Sequence, residues 1–424
     1  METHDTIVIG AGLAGLRSAA RLAEAGRDVV VLEAESVVGG RQRTDAVDGF
    51  LLDRGFQILN PAYPAVKRWV DVGALGLQRF PVGVRVRRES GSVELTHPLR
   101  HPAGIPASLG SALITPKDLA ALVRWLAPVL LRPRSVIAGS DRTVRAEWDR
   151  IGLRGPLRTQ VLEPFLAGVL GEDDGTSSDA FTRLLMRMFA LGSPGLPADG
   201  IGALPAQLAR GAAGAGADIR LDARVRRIRT GADGAEVDVA GAETLRARSV
   251  VVAVGPGAVG DLLDVRAPAT RGLQTWWFGA DAPPTASALL AVDGRRRGPV
   301  VNTVVISNAA PSYAPRGRHL VAATCLLPKG ARADAGGPAR EGEVRRQLAE
   351  VWDADSAGWE LLRRDDIPDA LPTQPAPLRT TSPAHLGGGL YVAGDYRDTA
   401  SIQGALVSGE RAARAMLRTA NGGR

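Results

Sequence analysis

Near the start of the chain the apolar pattern changes period and then changes back. Ile7-Val8-Ile9 is a continuous apolar run, as expected of a parallel strand buried on both faces. From Leu13 the period becomes helical, with Leu16, Ala19, Ala20 and Ala23 on one face and Arg17, Arg21 and Glu24 opposite. Gly26 stands where such a helix stops. Val29-Val-Val-Leu32 is a second buried strand and ends at Glu33. The pattern therefore predicts a strand–helix–strand unit with a glycine-rich turn, Gly10-Ala-Gly12-Leu-Ala-Gly15, between its first two elements.

Residues 61–200 read as mostly helical and irregular, without a repeat. Within them Leu119 to Leu131 is apolar except for Arg124 and is too short to span a bilayer. It predicts an amphipathic core helix; a surface helix at a lipid interface, or one guarding an apolar tunnel, is the alternative. Leu162 to Leu170 reads as core, and Leu191 to Gly202 as a Gly/Pro-rich crossing between domains. From Ala203 the α/β pattern returns, with a helix over 204–211 and strands over 218–221 and 225–228. A hairpin turning at Asp233-Gly234 and the apolar strand 249–254 follow. The stretch from Leu262 to about Asp369 reads as strands and turns, including Thr275-Trp-Trp-Phe278 and the alternating segment 300–306. Finally, Gly389 to Asp395 reads as a short strand ending in an acid, and Ser401 to Leu417 as a helix with a small-residue face at Gly404, Ser408, Gly409 and Ala412.

At 424 residues the chain is long for one ordinary core and suggests two domains. The net charge of +7 comes from scattered arginines, since the chain has only Lys67, Lys117 and Lys329 as lysines, so no nucleic-acid partner is expected. Arg295-Arg-Arg297 reads as a solvated turn. A single cysteine, Cys325, excludes an internal disulfide and a cysteine-only metal cluster. His97 and His101 are four apart, but Pro98 and Pro102 argue against a shared helix face, and no metal is expected. With the first strand starting near residue 6, no leader is expected, and the location is read as cytoplasmic, with peripheral membrane contact as the variant.

The chemistry lies in the turns. Gly10 suits a sharp bend, Gly12 lets a pyrophosphate approach the backbone, and Gly15 lets helix and strand pack closely. Amides at the helix start, at Leu13 and Ala14, with the helix dipole behind them, favour a diphosphate. The carboxylate of Glu33, followed by Ala34, can accept both ribose hydroxyls of an adenosine. These residues predict a dinucleotide site and leave FAD and NAD open. Gly39-Gly40-Arg41 brings a guanidinium back beside the pyrophosphate. Asp53-Arg-Gly55-Phe56-Gln57 reads as a strand broken at a glycine where backbone can approach a planar ring. There Gln57 either bonds a flavin edge or substrate, or caps a loop. Behind Gly394, Asp395 is placed to accept a ribityl hydroxyl, and the start of the last helix, at Gln403, Gly404 and Ala405, points positive charge at a ligand.

With GAGLAG and Glu33, GGRQRT at 39–44, and YVAGDYRDTASIQGALVSGERAA at 391–413, the chain resembles the flavin-containing amine oxidase superfamily, including its phytoene desaturase-like members. The resemblance implies an α/β fold in which a Rossmann-type FAD-binding domain, a parallel sheet with a β-hairpin crossover, is interleaved with a mixed α+β substrate domain. The FAD-binding domain is expected over 1–60, 200–260 and 385–424, and the substrate domain over 61–199 and 261–384. It also implies non-covalent FAD, with Val225 beside the adenine through its backbone, Glu33 on the ribose, Arg41 near the phosphates, and Asp395 with Gln403 to Ala405 around ribityl and ring. Two features depart from the amine-oxidising members. The lysine they place near the flavin is missing around Thr270 to Phe278, Lys329 (the only lysine in that half) sits in a turn-like Pro-Lys-Gly context, and no cysteine lies in the C-terminal motif. Both move the expectation toward a desaturase-like enzyme taking hydride from an apolar, isoprenoid- or carotenoid-like substrate. The alternatives are an amine or amino-acid oxidase releasing hydrogen peroxide, with Arg43 or Arg397 holding a carboxylate, a redox-neutral isomerase, and a flavin-bound carrier. No catalytic residue is singled out.

Overall fold

In a computed structural model describing residues 2–97, 100, 110–231, 234–265, 268–327 and 339–422, both ends of the chain enter one sheet. Strand β1 (Thr3–Ile9) lies between β2 (Val29–Leu32) and Leu245–Val252, all parallel, with Ile7 level with both Val30 and Val250. Asp218–Arg220 adds on beyond β2, and Leu390–Val392 lies parallel to the end of Leu245–Val252. Val225–Gly231 and Gly234–Val239 form the antiparallel crossover leading into Leu245–Val252. The central strands have no polar face: Ile7, Val8, Val30, Val31, Val250 and Val251 are all fully buried, because helices cover one side and the crossover strands, with Val259 and Leu263, the other.

Helix α1 (Leu13–Ala23) and the C-terminal helix (Ile402–Gly422) cover one side, pressed together by small residues. A Cβ on Gly409 would lie 2.2 Å from the Ala14 carbonyl oxygen. Ser18 donates to the Gly409 carbonyl at 2.9 Å, and the buried pair Arg17–Glu410 closes the contact at 2.8 Å. The left-handed Gly26 (φ 74°) ends α1, with its amide on the Ala23 carbonyl.

The second sheet runs in the order Glu360–Pro372, Thr270–Ala280, His319–Leu327, Val300–Val305, Leu290–Asp293, Gly83–Arg88, Gly91–Thr96. Its pairs are antiparallel except Leu290–Asp293 beside Gly83–Arg88. Helix Glu341–Trp352 packs Val344, Leu348 and Trp352 against Trp276, Val305 and Cys325. Helices Pro116–Leu131, Val144–Ile151 and Asp179–Leu191 share another core with Val84, Val86 and Val292.

One expectation is refined here and one corrected. The stretch 61–200 is not only helical and irregular, since Gly83–Arg88 and Gly91–Thr96 form a hairpin in the second sheet. Its buried Val84 and Val86 alternate with arginines, a strand period concealed by the charge. Likewise, the stretch read as strands and turns contains helix Glu341–Trp352, whose Val344, Leu348 and Val351 recur at helical spacing. Asp233, His101, Pro98, Pro102 and Lys329 lie outside the described residues.

Candidate functional site

The glycine-rich turn leaves β1 at Gly10, whose φ of 99° requires a residue without a side chain. A Cβ on Gly15 would meet the Gly10 carbonyl oxygen at 1.9 Å, so Gly15 is where helix and turn touch. Gly12 is different: a Cβ there meets nothing within 4 Å. Gly12 is also the N-cap of α1 and supplies no side-chain acceptor. The first amides of α1, at Leu13 and Ala14, lack intrahelical acceptors by helix geometry and face that open ground with the positive end of the dipole.

The Glu33 carboxylate is held beside this turn. Its Oε2 accepts from the Ala11 amide at 2.7 Å and its Oε1 from the Glu35 amide at 3.0 Å. Two backbone donors fix its direction while each oxygen keeps an acceptor site. Ala34 follows, half-buried. The Ala223 amide donates to the Glu33 carbonyl at 2.7 Å, which brings the start of strand Val225–Gly231, with Val225, beside Glu33.

The loop after Glu33 folds back onto the glycine turn. The Gly39 amide donates to the Ala11 carbonyl at 2.9 Å, and a Cβ on Gly40 would lie 3.6 Å from the Gly12 Cα. Arg41 spans the molecule, donating through Nη2 to Asp395 Oδ1 at 2.6 Å and through Nη1 to the Ala370 carbonyl at 2.9 Å. Three of its N–H groups remain for another anion. Gln57 uses its amide nitrogen on the Arg41 carbonyl (2.8 Å) and the Arg54 carbonyl (3.1 Å). Of the two roles considered for it, this is the loop-tying one.

From the other end of the chain, Gly394 (φ 154°) follows strand Leu390–Val392, and its amide donates to Ser408 Oγ at 3.0 Å. The next residue, Asp395, is buried. Gln403 Oε1 accepts from the Ala65 amide at 2.8 Å, which fixes the start of the C-terminal helix against helix Pro64–Trp69. A Cβ on Gly404 would collide with the Thr399 carbonyl oxygen at 1.9 Å, and Ala405 lies next to it, half-buried.

The second sheet reaches this region at Gly55 and Phe56. A Cβ on Gly55 (φ 84°) would lie 2.7 Å from Ile367 Cδ1, and the Phe56 amide donates to Thr275 Oγ1 at 3.4 Å. Thr275 lies in the 270–278 stretch that the resemblance sets near the flavin, but Ala370 and Ile367 were not singled out from the sequence. No local signal could have found them, because they meet the site through strand pairing.

Behind these loops Asp53 is buried at the junction of the sheets. Its carboxylate accepts from Thr44 Oγ1 at 2.6 Å, the Ile201 amide at 3.0 Å and the Tyr313 hydroxyl at 3.0 Å. Burial pushes its pKa up to about 6, against the pull of those three donors. Among the described residues no cluster of His, Cys, Asp and Glu is arranged to hold a metal ion.

Taken together, the open Gly12, the uncapped first turn of α1, the fixed Glu33 and the Arg41–Asp395 bridge make a cradle that fits a dinucleotide. A family model for flavin-containing amine oxidoreductases matches residues 13–417. The chain belongs to that family. It is an FAD-dependent oxidoreductase. It is 29% identical to hydroxysqualene dehydroxylase from Rhodopseudomonas palustris, with 97% of each chain covered. It is 44% identical to putrescine oxidase from Kocuria rosea over 77 residues, which cover 18% of this chain and 16% of that one. Among solved structures, an oxidoreductase from Methanosarcina mazei shares the fold with a TM-score of 0.70 at 19% identity, covering 96% of this chain and 98% of that one.

Proposed function

We propose that this enzyme takes hydride from an apolar, isoprenoid- or carotenoid-like substrate onto non-covalently held FAD. The observation that supports an apolar substrate is the end-to-end similarity to hydroxysqualene dehydroxylase, which covers 97% of both chains, whereas the putrescine oxidase match covers 18% of this one. A second support is the strand Thr270–Ala280, which carries no lysine. The lysines among the described residues, Lys67 and Lys117, are exposed on helices.

In this reading the segments 1–60, 200–260 and 385–424 form the FAD domain, and 61–199 with 261–384 form the substrate domain. Gly12 and the amides of Leu13 and Ala14 would hold the pyrophosphate, with the free donors of Arg41 beside it. Glu33 would take the adenosine ribose, Val225 would border the adenine through its backbone, and Asp395 would take the ribityl chain. When bound, FAD supplies the ring that accepts the hydride. The protein contributes position: Gly55 lets backbone come close to the ring plane, and Phe56 and Thr275 fix that loop to the second sheet.

Anaerobic mixing of the FAD-loaded protein with isoprenoid and polyene substrates in detergent, followed by the flavin's visible absorbance, tests the reading. Bleaching by an apolar substrate and none by an amine panel that includes putrescine is the expected result. Rapid bleaching by amines, with none by any apolar compound, would overturn it and favour the oxidase reading.

A further inference from the structure

Of the eight large apolar side chains that are exposed among the described residues, four (Leu119, Val123, Leu131 and Ile137) stand on two consecutive helices, Pro116–Leu131 and Pro133–Ala138. Single exposed apolar residues are ordinary, but a concentration on one element marks a contact surface. Leu119, Val123, Ala127 and Leu131 recur at four-residue spacing, so they line one side of the first helix. Leu131 is 80% exposed and Val123 57%. The opposite side is fully committed to the fold: Ala121, Trp125 and Val129 are buried, Trp125 donates to Asp179 Oδ1 at 2.7 Å, and its ring meets Trp148 edge-on at 5.5 Å.

The exposed charges on these two helices have one sign. Between residues 116 and 140 the exposed charged residues are Lys117, Arg124, Arg132 and Arg134, while the acid, Asp118, is buried on Thr115 and the Gly155 amide. We infer that these two helices rest on the surface of an anionic phospholipid bilayer, with the apolar stripe in the acyl boundary and the four cations among the headgroups. A two-fold contact with a second copy of this chain would set the same cations against each other, so charge complementarity favours lipid. Among the described residues no helix is long and apolar enough to cross a membrane, so the contact is lateral. The inference stands on the stripe and its charges and holds whichever substrate the enzyme takes.

Flotation of the FAD-loaded full chain with vesicles, without substrate, tests it. Binding is expected with phosphatidylcholine vesicles containing phosphatidylglycerol, not with phosphatidylcholine alone, and release is expected as salt is raised. The variant Leu119→Ser/Val123→Ser/Leu131→Ser and the variant Lys117→Gln/Arg124→Gln/Arg132→Gln should each bind about tenfold more weakly or worse. Both should keep their flavin and their thermal midpoint. Failure of the wild type to float with the anionic vesicles would overturn the inference. So would variants that float like the wild type, or a wild-type dimer that the serine substitutions dissociate without any vesicle binding. Should a variant lose its flavin, the salt and lipid dependence of the wild type still decides the matter.

Discussion

The glycines of the first turn do different jobs, and a single added side chain separates them. At Gly12 the backbone is extended and a Cβ would enter open space, so Gly12→Val leaves the apoprotein's fold undisturbed. Its branched side chain does occupy the ground where a pyrophosphate would lie. The ratio of flavin to protein absorbance after purification should fall at least about tenfold, with an unchanged melting midpoint for the apoprotein. Glu33→Ala should weaken FAD binding more modestly, by about 1–3 kcal/mol, since it removes a charged acceptor for the ribose. Titration of the apoprotein with FAD measures this. Asp53 makes a prediction about pH. Its folded pKa, about 6, lies above the ordinary 3.8, so the native state holds the proton more tightly than the unfolded chain. Its contribution is fully present below pH 3.8 and is lost as pH rises toward about 6, a change of about 3 kcal/mol. Asp53→Asn removes the buried charge. The melting midpoint of that variant relative to wild type should therefore rise between pH 4 and pH 6 and level off above; a flat difference would contradict the assignment. At this scale the sequence was most informative where a motif is short. Gly10 to Gly15 and Glu33 declare themselves by spacing, whereas Thr275 and Ile367 reach the Gly55–Phe56 loop from more than two hundred residues away.

Among the elements, the contact between α1 and the C-terminal helix joins the two ends of the chain, and it tolerates no added volume. Gly409→Ala would drive a methyl group onto the Ala14 carbonyl, backbone against backbone, and the helices would have to separate. A loss of about 1–3 kcal/mol in urea unfolding is expected. Glu410→Ala would leave the buried Arg17 with Glu24, at 3.4 Å, and the Trp69 ring, 5.0 Å from its guanidinium, and should cost about 1–3 kcal/mol. The small-residue face of the last helix was readable before its partner was known. Two other elements were harder to read. The hairpin Gly83–Arg88/Gly91–Thr96 alternates valine with arginine, and helix Glu341–Trp352 lies in a run dominated by strands. In both, packing against distant neighbours outweighs a weak local pattern.

Across the whole molecule, the first and last segments of the chain converge on one cradle through parallel strand pairing, the Ser18–Gly409 and Arg17–Glu410 contacts, and the Arg41–Asp395 bridge. That convergence was legible because each end carries its own motif. The second sheet was not, because its partners are scattered from residue 83 to residue 372 and register is set only by assembly. The central claim is that one FAD lies along this cradle, its pyrophosphate at the start of α1 and its ribityl chain at Asp395. A crystal structure of the FAD complex measures this directly. The account predicts pyrophosphate oxygens within hydrogen-bond distance of the Leu13 or Ala14 amide, ribose hydroxyls on Glu33, and a ribityl hydroxyl on Asp395. A flavin lying elsewhere, with the ground over Gly12 unfilled and Glu33 free of ribose, would contradict it.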